Sequence, residues 1–299
     1  MSGPEISVHC PGKINWSLRI LGKREDEFHE LATVLQAIDL WDTLTIREAD
    51  TLALTCDSPG IPVDETNLVI RAARALADRA GIGTPGAAIH LEKRIPAGGG
   101  LGGGSSDAAG ALLGLARAWS LDPGPAELAE IAAELGSDVP FFLSGGTALC
   151  TGRGEQVEPL PFAGEVPLLL GFPPVSISTA QVYDRLSAYL TLPANGVNLS
   201  ALRALKLPGN KDFGFAINDL EPVVFAGWPE LRLFRDSLLE HGARHAMLSG
   251  SGSTVFGVFE DQDGMIRAGE KLSGLFRHWE LFRTRTVAHG HHPDQGFPR

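Results

Sequence analysis

The chain has 299 residues, 43% of them apolar and 20% charged, the balance of a folded protein with a sizeable core rather than a disordered one. A formal net charge of −11 argues against a nucleic-acid binder, yet leaves room for an anionic ligand where cations and helix N-termini gather in one cleft. Cys10, Cys56 and Cys150 stand far apart with no CxxC pair, and neither a signal peptide nor a membrane-length apolar run is present, so the expectation is a soluble cytoplasmic protein with no metal framework and no membrane partner.

Taken in order, residues 6–9 and the alternating run 14–21 predict two strands. Between them lies Cys10-Pro11-Gly12-Lys13, where a lysine after a Pro-Gly bend either enters a cleft or stays exposed on a turn. A charged turn at 22–27 and Phe28-His29-Glu30 precede predicted strands at 31–38, 39–46 and 52–56. Residues 67–80 carry Leu68, Ala72, Ala75 and Leu76 at helical spacing, closed by Gly81. Residues 88–95 alternate as a half-buried strand, and 108–119 are small, apolar and proline-free, as in a closely packed helix.

Between that strand and helix runs Pro96-Ala97-Gly98-Gly99-Gly100-Leu101-Gly102-Gly103-Gly104-Ser105-Ser106-Asp107. A strand, glycines and a helix start make a phosphate site, because the first helical N–H groups lack partners, the helix dipole is positive there, and glycine lets the backbone approach a ligand. Ser105, Ser106 and Asp107 can also cap the helix. A flexible linker would not be pinned between two regular elements. The P-loop pattern fails because Gly104 stands where its lysine belongs. The dinucleotide pattern is met only formally, and Glu92, Lys93 and Arg94 do not suit a strand buried on both faces, which weighs against an oxidoreductase.

Further on, 125–135 predicts a helix with proline at its start and Gly136 at its end. In Gly136-Ser137-Asp138-Val139-Pro140, Ser137 or Asp138 either caps a short helix or does chemistry. Strands are predicted at 147–151, 157–160 and 166–172, then helices at 179–189, 199–204, 218–225 and 229–241. Strands at 243–248 and 254–259 flank Ser249-Gly250-Ser251-Gly252-Ser253, and a helix at 264–276 leads to a strand at 279–287. Strands followed by helices in each half indicate α+β. A composition change after Pro173 divides the chain into 1–173 and 174–288, and 289–299, with His289, His291 and His292, is expected to be a frayed tail.

The loop Pro-x-x-x-Gly-Leu-Gly followed by small residues resembles the phosphate loop of the GHMP kinase superfamily. Several stretches resemble its 4-diphosphocytidyl-2-C-methyl-D-erythritol kinase branch. They are Cys10-Pro11-Gly12-Lys13-Ile14-Asn15, Phe28-His29-Glu30-Leu31, the loop end with Ala108-Ala109, and Gly136-Ser137-Asp138-Val139-Pro140-Phe141-Phe142. Gly152-Arg153-Gly154-Glu155, Ser178-Thr179 with Tyr183, Asn218-Asp219-Leu220-Glu221 and Ser249 to Thr254 follow. The resemblance implies two α+β domains with the active site in the cleft between them, and ATP-dependent phosphorylation of a cytidine diphosphate-linked polyol at its 2-hydroxyl. It implies Lys13 and Asp138 as the catalytic pair, with Asp138 acting on the hydroxyl and Lys13 stabilising the transferred group. It implies Pro96 to Ser106 on ATP, and Asn15, Phe28, His29 and Tyr183 on the second substrate, the aromatics by stacking and His29 at the base edge. ATP would bring Mg²⁺ with few protein ligands, and no metal residue is assigned. Phe28 stands where tyrosine is frequent in the branch. The competing readings are another GHMP kinase, acting on mevalonate-type acids, homoserine or a sugar, and a kinase-fold binding protein without catalysis.

Overall fold

The structure is a computed structural model that describes residues 5–162, 164–186, 199–203 and 215–291. Its order is β1 (Ile6–Lys23), β2 (His29–Arg47), β3 (Leu52–Cys56), α1 (Leu68–Arg79), β4 (Ala87–Glu92), α2 (Gly103–Ala118), α3 (Pro125–Leu135), α4 (Val139–Ser144), β5 (Thr147–Gly152), β6 (Gln156–Leu160) and β7 (Pro167–Phe172). Then follow α5 (Thr179–Leu186), α6 (Leu199–Arg203), α7 (Glu221–Gly227), α8 (Pro229–Glu240), β8 (His245–Leu248), β9 (Val255–Val258), α9 (Gln262–Leu275) and β10 (Glu280–Arg285). The expected α+β architecture is present as two sheets. The first runs β3-β4-β2-β5-β6 with β1 also on β2; the second runs β10-β7-β9-β8.

Four short strands expected at the start are two long ones. β1 and β2 pair antiparallel along their length, with a register shift between Pro11 and Gly12, where Pro11 faces Trp41 and Gly12 faces Ile38. The expected gap at residues 10–13 and the expected division after residue 38 are therefore two sides of one bulge. Proline has no N–H for the ladder, so the ladder slips there rather than ending. Residues 39–40 are the excess on β2.

β7 pairs with β9 and β10, so the chain changes sheet between β6 and β7, one strand before the boundary expected at residue 173. Leu168, Leu169 and Leu170 are fully buried, as befits a central strand; the composition change at Pro173 marks that strand's end. The helix expected from residue 218 starts at Glu221, because Asn218 Oδ1 accepts from Leu220 N (2.9 Å) and holds residues 218–220 in a turn. Residues 187–189 and 204 of two expected helices, and residues 292–299 of the expected tail, lie outside the described residues.

Three apolar clusters form the core. One lies under α1–α4, including Val8, Leu44, Leu112, Phe141 and Phe142. A second packs β7–β9 against α5 and α7–α9, and recruits Leu18, Ile20 and Leu31 from β1 and β2. The third, with Ile14, Trp16, Leu101, Leu168 and Phe256, lies between the sheets. A six-residue helix such as α4 is not stable alone. Phe141 and Phe142, both fully buried, hold it, each worth roughly 1.5–3 kcal/mol of transfer free energy.

Candidate active site

The glycine loop is built by its own backbone. Gly98, Gly100 and Gly102 all have φ near +75°, at 72°, 77° and 71°, with Gly99 and Leu101 between them outside the left-handed region. Such alternation turns successive N–H groups toward a common concave face. Gly102 is the N-cap of α2, so Ser105, Ser106 and Asp107 lie within the helix rather than at its cap position. A Cβ on Gly102 would lie 2.8 Å from the Phe142 ring and 3.0 Å from Lys13 Cγ; one on Gly100 would lie 2.2 Å from Ser249 O. Lys13 N donates to Leu101 O (2.8 Å), Thr254 N to Gly99 O (3.1 Å) and Ser249 Oγ to Gly100 O (3.0 Å). Both β1 and the Ser249–Thr254 loop thus fasten the glycine loop from behind.

Of the loop residues, Gly100, Gly102 and Ser105 line a cleft of about 730 Å³. Pro96, Ala97, Gly98 and Gly99 lead into it, Leu101 points into the core, Gly103 lies over Lys93 and Ile95, and Gly104 is exposed. Ser106 is buried: its N–H is taken by Gly102 O and its hydroxyl meets His291, so it offers no hydrogen bond to the cleft. Gly103, Gly104 and Ser105 are the helix-start residues whose N–H groups lack intrahelical acceptors.

Lys13 and Asp138 meet across the same cleft, Nζ to Oδ2 at 3.5 Å. Lys13 is 3% exposed and its ammonium also donates to Asn15 Oδ1 (2.8 Å), while Asn15 Nδ2 donates to Thr33 Oγ1 (2.8 Å). This chain of bonds aims the lysine. Asp138 stands at the N-cap of α4 but makes no capping hydrogen bond, and its side chain is 35% exposed. Its carboxylate therefore faces the cleft, not its own helix.

Of the four residues implied for the second substrate, Asn15 lies beside Lys13, and the three aromatic ones line the cleft with it. His29 and Tyr183 rings lie 5.0 Å apart, and Phe28, 51% exposed, carries the Arg153 guanidinium 4.9 Å from its ring centre. All four line the cleft with Lys13, Asn15 and Asp138. Burial, then the nearby Lys23, hold the His29 imidazole below its usual range, so the ring is neutral near pH 7, with one donor and one acceptor. Burial and then the Asp138 charge push the Tyr183 phenol up, so it stays protonated. Arg153 was not singled out from the sequence. Its signal was the hairpin Gly152-Arg153-Gly154-Glu155, where Glu155 accepts from Arg153 N (2.7 Å) and fixes a tight turn at the cleft mouth.

Sequence reading also missed a buried charge cluster behind the loop. Asp42 Oδ1 accepts from Arg94 N (2.6 Å) and Ile95 N (2.9 Å), Lys93 bonds Asp42 Oδ2, and Lys93 Nζ reaches Asp107 Oδ2 at 2.8 Å. Asp107 Oδ1 is buried without a hydrogen-bond partner. One ammonium balances one of two carboxylates, and burial pushes Asp107 up to about 8 against the pull of Lys93. Burial opposes the Lys93 charge, but Asp107 and Asp42 hold it above the usual lysine range.

The two-sheet fold, with a glycine loop at a helix start beside a lysine–aspartate pair, is that of a small-molecule kinase of the GHMP type, as its likeness to known proteins shows. Residues 67–146 match the GHMP kinases N terminal domain, and residues 198–278 the GHMP kinases C terminal domain. A 4-diphosphocytidyl-2-C-methyl-D-erythritol kinase of Chlorobaculum tepidum is 39% identical over 273 residues, 91% of this chain and 95% of that one. One from a Synechococcus species is 44% identical over 282 residues, 90% of this chain and 92% of that one. A crystal structure of 4-(cytidine 5'-diphospho)-2C-methyl-D-erythritol kinase superposes with a TM-score of 0.77 at 33% identity, covering 94% of this chain and 98% of that one. The chain belongs to the 4-diphosphocytidyl-2-C-methyl-D-erythritol kinase family of the GHMP kinases, which use ATP.

Proposed function

We propose that this protein transfers the γ-phosphoryl group of ATP to the 2-hydroxyl of 4-diphosphocytidyl-2-C-methyl-D-erythritol, in non-mevalonate isoprenoid precursor synthesis. One observation carries the reading: the Lys13–Asp138 pair, the start of α2 and the group Phe28, His29 and Tyr183 line a single cleft. The ATP phosphates rest on the N–H groups at the start of α2, where the helix dipole favours anions. Asp138 accepts the proton of the 2-hydroxyl as its oxygen bonds the γ-phosphorus; the bond from that phosphorus to the β–γ bridging oxygen breaks, and ADP leaves. Lys13 stabilises charge on the group in flight. Cytosine stacks on Phe28 and Tyr183 while neutral His29 reads its edge.

Magnesium fits as an ion carried by ATP. Among the described residues no group of three or more His, Cys, Asp or Glu is arranged to hold a metal, while Ser105 and Asp138 bring oxygen atoms to the cleft. A magnesium ion held mainly by phosphates and water is compatible with that set, and it would neutralise phosphate charge. All three cysteines are free, which supports a cytoplasmic place for the enzyme.

The test is ADP release from purified protein and ATP. Release should need the cytidyl acceptor and be poor with its uridine analogue, because exchanging amino for carbonyl leaves a buried donor or acceptor unpaired, at roughly 1–3 kcal/mol. Release with homoserine or mevalonate and none with the cytidyl acceptor would overturn the reading.

A further inference from the structure

After β10 the chain returns from the second sheet to the active site. Thr286 bridges to Ile38 of β2, Val287 N donates to Ala37 O (3.0 Å), and Gln36 Nε2 donates to Val287 O (2.9 Å). Gly290 lies backbone to backbone on Gly145, so closely that a Cβ on Gly145 would be 2.0 Å from Gly290 Cα. The start of the expected frayed tail is thus packed. His291, 5% exposed, enters between α2 and α4: Nδ1 is 2.8 Å from Phe142 O, and Nε2 is 2.8 Å from Ser106 O and 3.3 Å from Ser106 Oγ. A neutral imidazole donates to one of the two carbonyls and a protonated one to both.

Both carbonyls belong to elements that carry the chemistry. Phe142 is in the last turn of α4, where helical carbonyls lack N–H partners and a histidine donor complements the dipole. The other end of α4 is Asp138. Ser106 is in the first turn of α2, beside the phosphate-binding N–H groups. α4 is too short to hold its own place.

We propose that His291 is a positioning residue for phosphoryl transfer: by tying Phe142 O to Ser106 O it fixes α4 against α2, and so sets the reach from the Asp138 carboxylate to the phosphate loop. This rests on the reading that Asp138 acts on the acceptor hydroxyl. A group acting only through geometry shifts turnover rather than binding, and a misplacement of about 1 Å costs on the order of a hundredfold.

The test is a kinetic cycle on the full chain. His291→Phe keeps ring bulk without donors, and kcat should fall roughly ten- to a hundredfold with both KM values within about threefold. His291→Gln, which regains N–H donors, should recover at least about a third of the kcat. In an Asp138→Asn background, His291→Phe should cost less than about twofold more, because both act through one group. If His291→Phe does not fold, Gly290→Ala replaces it: its Cβ meets Gly145 N at 2.9 Å and lifts the strap with the ring intact. Wild-type kcat per folded molecule in the variant used, or losses that multiply in the double variant, would overturn the proposal. A wild-type protein inactive on the cytidyl acceptor would instead overturn the functional reading.

Discussion

Asp138 is a side chain free of the structural duty its position offers, which leaves it for the chemical role proposed for it. It stands where Asp commonly caps a helix, yet its carboxylate turns to Lys13 and leaves the α4 N-terminus uncapped. Asp138→Asn keeps shape and a capping oxygen but loses charge and basicity. Turnover should therefore fall by about two to four orders of magnitude. Thermal melting should move little; a large drop in melting with surviving turnover would restore the cap. Asp107 gives the opposite kind of prediction. Its carboxyl is raised from about 4 unfolded to about 8 folded, so its contribution to stability is full below pH 4 and is lost as pH rises toward and through 8. Asp107→Asn should melt like wild type near pH 4 and gain on it steadily up to about pH 8, where the gap levels off; a gap independent of pH would show the carboxyl ionised throughout. Lys13 and Asp138 were legible as members of ordered stretches. Asp42 and Lys93 were not, because burial of a charge depends on partners 51 residues apart.

At the scale of elements, the glycine loop and α2 were readable because their cause is local. Glycine spacing, absent proline and a helix start act within a dozen residues. The β1–β2 bulge was read as two strand breaks because a proline gives the same local signal in a turn and in a slipped ladder. Gly102→Val tests the loop as an element. It forces a branched side chain into a left-handed position facing Phe142 and Lys13. A folded variant should bind ATP at least about tenfold more weakly, since a strained loop no longer presents its N–H groups. Unchanged ATP affinity by titration would show that the phosphates lie elsewhere.

For the whole molecule, the cleft belongs to both halves of the chain. Phe28 and His29 come from the first sheet's hairpin and Tyr183 from α5, which packs in the second core cluster. Nothing in the sequence spacing of residues 29 and 183 gives their 5.0 Å ring contact; the family resemblance alone implied a shared site. His29→Ala should raise KM for the cytidyl acceptor by roughly ten- to a hundredfold, the cost of one or two lost hydrogen bonds, and leave KM for ATP nearly unchanged. Equal rises in both would make His29 a structural residue.

The same joining of early and late residues bears on how the protein is made. Arg19 waits for Asp219, 200 residues on, and Gln36 for Val287, 251 residues on. At about 5–20 residues per second of synthesis, the first hairpin spends tens of seconds with its second-sheet face uncovered. Contacts this distant in sequence also slow folding. Leu168 and Leu170 of β7 and Phe256 and Val258 of β9 supply much of the cover, so the nascent chain carries an exposed apolar surface until β9 emerges, and truncation before β7 would leave that surface permanently open to aggregation.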